Sequence, residues 1–480
     1  MGENNSKKIN WYVLAFMAFS TVWGFGNITN GFVYFNGTQV IFSWFVMFVL
    51  YFIPYTLMVG ELGSAFKTAG GGVSSWIHQT IGSKFAYYAG WTYWACHVTY
   101  IASKGSGGLK AISWMIFQNG TTYDTFPTHW VQLATLAVFL FFCWVASRGL
   151  NPLKKLATIA GTSMFIMSLL YILMMFAAPA INPGGEYVPL NLGLKHMLPQ
   201  FNVGYFTSLS ILVFAVGGCE KISPYVNKVK NPSRGFPKGM IMLAVMVMIC
   251  AILGAVAMGR MFDPALINES KESFNSYVSN GSYWAFQKLG EYYHVGNLLL
   301  VIYAACNAIG QFSTLVLSID APLRMLLDND ESRKYIPSWL LKKNKYGAYI
   351  NGIWMVVILS GSIILIQSFV PGAAAVLTQL NKLNSVTMPL RYLWVFAAYI
   401  ALRRHFTKFQ PEYRFTKNQG LAFAAGGWCF LVTAVCCILG MYVEGDFAST
   451  ALNVITPFIL TALGLVLPEI KKREKKQAEG

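Results

Sequence analysis

Two short stretches concentrate the residues able to do chemistry. GFGNITNG, Gly24 to Gly31, sets glycines among Asn27, Thr29 and Asn30, and FAVGGCEKISP, Phe214 to Pro224, sets Gly217 and Gly218 before Glu220. Each lies in a run otherwise apolar enough for hydrocarbon, where an unpaired backbone N–H or C=O is costly. A helix broken there survives where a cavity, water or a ligand satisfies the freed groups. Gly24 and Gly26 lack Cβ atoms and let a ligand reach the backbone. The N–H groups near Asn27 and Ile28 start a half-helix and carry the positive end of its dipole, which suits a carboxylate. Carbonyls ending the half-helix before each break suit an ammonium. The chemistry expected is capture of a zwitterion; the competing reading is that the glycines only let helices pack closely.

Other residues extend the candidate site. Glu220 is ionisable within an apolar run, which makes function the default reading; proton carrier, substrate contact and structural partner all stay open for it. Lys104, Lys110, Lys382 and Arg391 fall inside the third and tenth apolar runs. Either their stems snorkel to the interface or they face a cavity, and a cavity-facing Lys104 would favour an acidic substrate. The neighbours Ser313 and Thr314 either bond back to their own helix or share a sodium ion with first-helix carbonyls, since hard cations take oxygen ligands. The eight cysteines show no Cys-x-x-Cys spacing and read as small packing residues. The sequence has no HExxH, no GxSxG and no paired carboxylates on one face, so neither an enzyme nor a metal or cofactor is expected.

The elements that must position these residues are membrane helices. Of 480 residues, 55% are hydrophobic and only 11% charged, and apolar runs long enough to cross a hydrocarbon core of roughly 30 Å recur throughout. Twelve are expected, near residues 9–35, 38–61, 85–117, 129–148, 155–179, 203–227, 236–259, 297–321, 347–370, 374–402, 418–442 and 449–468. The segment from Arg260 to Gly296 reads as an external loop with a short surface helix.

The formal charge of +17 would suggest nucleic acid in a soluble protein. Here the basic residues cluster at Lys7 and Lys8, Lys228 to Lys238, Arg324 to Lys345, Arg403 to Lys417 and Lys471 to Lys476. Lys195, Arg260, Lys271 and Lys288 lie on the other side. That pattern obeys the positive-inside rule with both termini cytoplasmic in a plasma membrane, and it excludes nucleic acid in favour of lipid head groups as the partner of the basic tail. The breaks are five helices apart, as two inverted five-helix repeats predict. One membrane domain over residues 1–480 is expected, with repeats at about 9–179 and 203–402 and two further helices at about 418–468.

GFGNI (Gly24 to Ile28), FIPYTLMVGELGSAFKTAGGGVSSWI (Phe52 to Ile77), FAVGGCEKISPYVNKVKNPSRGFPKGM (Phe214 to Met240) and DAPLRM (Asp320 to Met325) carry a family resemblance. The chain resembles the amino acid–polyamine–organocation (APC) transporters, most closely their glutamate/GABA-antiporter-like branch. The resemblance implies an all-α polytopic membrane protein of LeuT type, with twelve helices, a 5+5 inverted repeat, broken helices one and six, and alternating access. It implies that Gly24, Phe25 and Gly26 hold the substrate's carboxylate, beside the N–H groups near Asn27 and Ile28 already read as part of the binding set, that Ala215, Val216 and Gly217 hold its amino group, and that Phe214 closes over it. Glu220 would couple helix movement to protonation or keep the sixth helix in register, and Lys104 joins the gating residues. The function expected is secondary transport of an amino acid or its decarboxylated amine by exchange. The alternatives are proton- or sodium-coupled symport, with Ser313 and Thr314 as the sodium site, and a non-transporting sensor on the same scaffold.

Overall fold

The computed structural model describes residues 8–369 and 373–479. Lys7 of the N-terminal basic pair and residue 370 of the ninth expected span lie outside the described residues. Helices dominate, and among the described residues the only β pairing is two isolated bridges, Ile9 with Val229 and Lys343 with Tyr349. Ten helices are long and apolar enough to cross a membrane, or eleven if the pair Trp11–Val22 and Gly26–Tyr34, bent by 43°, is one span. The helix Ser83–Phe117 covers the third expected run. Its 35 residues are long enough to cross, since a helix rises 1.5 Å per residue, but lysines, serines and glycines lower its hydropathy.

Small residues set the packing. A Cβ on Gly90 would stand 2.7 Å from the Met325 carbonyl and one on Gly108 2.2 Å from the Phe312 ring, so Ser83–Phe117 lies directly against Leu298–Leu327. Gly161 meets the Phe16 carbonyl at 1.9 Å in the same sense, seating the first helix on Leu150–Ile181. With lipid tails as apolar as leucine, close approach of backbones replaces the hydrophobic drive between helices. Large apolar side chains such as Trp130, Leu173, Ile358 and Phe458 point outward, where a bilayer would solvate them.

Three elements depart from the sequence expectation. The sixth run is helical over Val203–Val216 and continues as a 3₁₀ helix, Cys219–Lys228, holding Pro224. The tenth is divided at Arg391 between Ala373–Leu390 and Tyr392–Arg404, following Pro389, whose ring removes a backbone donor. The expected short surface helix is Lys271–Tyr292, 22 residues long and half buried. Its aromatic face explains the difference: Phe286 packs on Phe25 and Tyr171, and stacks on Tyr303 with centroids 4.2 Å apart.

Candidate functional site

The two breaks meet on one cavity of about 450 Å³. The first helix ends at Trp23 in extended backbone (φ −121, ψ 136), and the chain restarts as Gly26–Tyr34. At the second break Gly217 is extended and Gly218 adopts φ +103, a conformation that favours glycine. The Asn27 side chain joins the two: its Nδ2 donates to the Val22 carbonyl at 3.2 Å and to the Ala215 carbonyl at 3.3 Å. Both acceptors stand beside a break, so the amide occupies the place that suits an ammonium. Thr21 adds a long bond from Oγ1 to the Gly218 carbonyl at 3.5 Å.

The glycines of the two breaks differ in kind. A Cβ on Gly24 would meet nothing within 4 Å, and one on Gly26 only Ser282 Oγ at 3.9 Å. Packing therefore does not demand glycine at the first break. A Cβ on Gly217 would stand 2.1 Å from the Tyr392 ring, so that glycine is needed for close approach.

Of the residues singled out in the sequence, Gly24, Gly26, Asn27, Phe214, Ala215, Gly217, Lys104 and Thr314 line the cavity. Phe25, Ile28, Val216, Glu220 and Ser313 do not, and their side chains are buried. Phe25 anchors the break sideways, its ring 4.8 Å from both Tyr171 and Phe286. Ile28 fills the hollow at Gly254. Thr314 Oγ1 lies 2.9 Å from the carbonyls of Ser20 and of Gly310, whereas Ser313 Oγ is buried without a hydrogen-bond partner among the described residues.

Glu220 stands behind the cavity wall. It accepts a short hydrogen bond from Tyr55, and its Oε1 is 3.5 Å from Arg391 Nε. Arg391 does line the cavity and also reaches the His97 ring nitrogen Nε2 at 3.2 Å. The carboxylate thus balances a cation that a ligand could touch.

The electrostatics are one-sided. Lys104, Lys110, Lys221, Lys382 and Arg391 all line the cavity, and Glu444 is the one carboxylate lining it among the described residues. The Lys104 and Lys221 ammoniums lie 4.9 and 5.3 Å from the Tyr100 ring centroid. Lys110 donates to Ser279 and lies 5.5 Å from the Tyr123 centroid. The snorkelling alternative therefore does not describe Lys104 or Lys110. Sequence reasoning missed Tyr100, Ser103 and Gly107, which share the lining with Lys104 and Lys110. The signal was present, because these positions recur three and four residues apart and so mark one face of a helix.

The cavity reaches loop residues 442–444, whereas the segments beside the N-terminus are tied to one another. Ile9 N donates to the Lys228 carbonyl and Lys230 N to the Ile9 carbonyl, each at 2.8 Å. Arg403 pairs with buried Glu61 at 2.6 Å, and Phe415 N donates to the same carboxylate at 2.8 Å. Glu412 accepts from Lys67 at 2.8 Å and from Ser233 at 2.9 Å, and those hydrogen bonds hold its carboxyl below the ordinary glutamate value.

The amino acid permease family matches residues 9–468 of this chain. The aspartate/glutamate permease AcaP of Lactococcus lactis subsp. cremoris is 46% identical over 99% of this chain and 97% of its own length. The probable agmatine/putrescine antiporter AguD of Lactococcus lactis subsp. lactis is 22% identical over 78% of this chain and 75% of its own. A glutamate/gamma-aminobutyrate antiporter of Lactococcus lactis subsp. cremoris is 23% identical over 62% of this chain and 57% of its own. With that match over nearly its whole length, and ten or more apolar helices, the chain belongs to the amino acid permeases of the APC superfamily and is a multi-pass membrane transporter, not an enzyme.

Proposed function

We propose that this permease carries acidic amino acids, aspartate or glutamate, across the plasma membrane by exchange. One observation carries the reading: among the described residues, five basic side chains line the cavity against a single carboxylate. Ammonium groups in a membrane interior are costly without counter-ions, and a dicarboxylic substrate supplies two. The name of the AcaP relative points to the same substrates.

In this reading the α-carboxylate meets the N–H groups that open the half-helix Gly26–Tyr34, and Gly24 and Gly26 leave it room. The substrate ammonium takes the carbonyls of Val22 and Ala215 in place of the Asn27 amide, and Phe214 closes over it. Glu220 couples to the site through Arg391. Twelve crossings in two inverted five-helix repeats, with both termini cytoplasmic, complete the proposal and make the cavity outward-facing. Exchange fits the charge balance: an empty carrier would have to occlude its cations with less counter-charge than a loaded one, to which the substrate adds two carboxylates.

Proteoliposomes test this. Labelled aspartate and glutamate should enter vesicles preloaded with either compound and stay out of empty ones. Uptake into empty vesicles driven by a proton or sodium gradient would replace exchange with symport. Failure to take up either acid under all three conditions would overturn the substrate class.

A further inference from the structure

We propose that the substrate's side-chain carboxylate is held by Lys104 and Lys221, across the face of Tyr100. The inference rests on the acidic-substrate reading and assigns the residues that would enforce it.

The five cations are not equivalent. Arg391 has Glu220 at 3.5 Å behind it and His97 beside it. Lys110 is turned to Ser279 and the Tyr123 ring. Lys382 lies near the mouth, within electrostatic reach of Asp446. Lys104 and Lys221 have no carboxylate within 4 Å among the described residues, yet their ammoniums converge on one ring. Lys221 is only 2% exposed, and the one hydrogen bond of its ammonium among the described residues runs to a neutral hydroxyl, Ser318 Oγ, at 2.6 Å. Two cations set against one ring and short of counter-charge make an anion site.

Position supports the same assignment. The Tyr100 ring packs on Phe214, centroids 6.3 Å apart, and Phe214 is next to the Ala215 carbonyl of the second break. On the other side Ser318 bonds back to the Thr314 carbonyl, and the Thr314 hydroxyl reaches the Ser20 carbonyl near the first break. The pair therefore flanks the place where the α-amino and α-carboxyl groups would lie. Tyr100 offers an aromatic face on which ammonium groups rest. The buried Lys221 is fixed by Ser318, while the half-buried Lys104 has a flexible stem, so one member can adjust to the extra methylene of glutamate.

The test compares labelled aspartate with labelled asparagine in proteoliposomes, for the wild type, Lys104→Gln, Lys104→Arg and Lys221→Gln. Removing the cation should turn a preference for the acid into tolerance of the amide. In Lys104→Gln the aspartate-to-asparagine ratio of kcat/KM is expected to fall at least tenfold, with Lys104→Arg restoring most of it. Lys221→Gln should lower the same ratio; if that variant does not insert, the Lys104 pair alone decides. A wild-type protein that prefers asparagine refutes the acidic reading itself. A wild type that prefers aspartate, together with a Lys104→Gln variant of unchanged ratio, leaves that reading standing and overturns the subsite.

Discussion

The glycines at the two breaks look alike in the sequence and do different jobs. Gly24 and Gly26 border open space, whereas Gly217 is pressed on the Tyr392 ring and Gly218 holds a left-handed φ. A side chain added at the first break should therefore spare the fold and fill the ligand's place. Gly26→Leu is expected to insert and purify like the wild type and to lose uptake. Gly217→Ala should instead lower the melting temperature and the yield, because its Cβ collides with a packed ring. Thermal stability and uptake measured on both variants decide this. A Gly26→Leu protein that transports normally would remove the first break from the binding site.

At the scale of elements, the helix breaks were legible because glycine and asparagine inside an apolar run contradict their surroundings. The register of Ser83–Phe117 was less so. Only Lys104 and Lys110 drew attention, although Tyr100, Ser103 and Gly107 share their face, because a helix polar on one stripe and apolar elsewhere reads as a weak span. The packing of Phe25 against Lys271–Tyr292 was out of reach: it depends on a helix of another segment folding inward. The bridge made by Asn27 likewise joins residues 188 apart in sequence. That bridge carries a prediction. If the amide stands in for the substrate ammonium, Asn27→Ala should weaken the empty protein and tighten the substrate. One neutral hydrogen bond is worth about 1 kcal/mol, roughly a fivefold change in affinity. The rise in melting temperature on adding aspartate should be larger in Asn27→Ala than in the wild type. An equal or smaller rise would show that the amide binds substrate directly or only ties the helices.

At the scale of the whole molecule, a cavity open toward one face requires the other to be sealed by contacts that can be undone. Buried pairs such as Arg403 with Glu61 are poor candidates for the reversible part, since parting them exposes charge to a dry interior. Glu412 is better placed: it is half exposed and joins Lys67 at the end of one span to Ser233 at the start of another. Lys67 and Ser233 hold its carboxyl below the ordinary value, so its contribution is complete above the ordinary glutamate range and disappears as pH falls through the lowered value. Between pH 5 and pH 8 the latch should therefore not titrate, and any pH dependence of transport in that window must arise elsewhere. Glu412→Gln removes the charge at every pH and should loosen the N-terminal face. Spin labels at Lys8→Cys and Lys230→Cys, both on exposed positions, would report this as a distance distribution broadened toward longer values at pH 7, with the wild type matching it only in strong acid. A distribution unchanged by the substitution would place the hold on that face in the backbone pairing of Ile9 with residues 228–230, which no carboxylate controls.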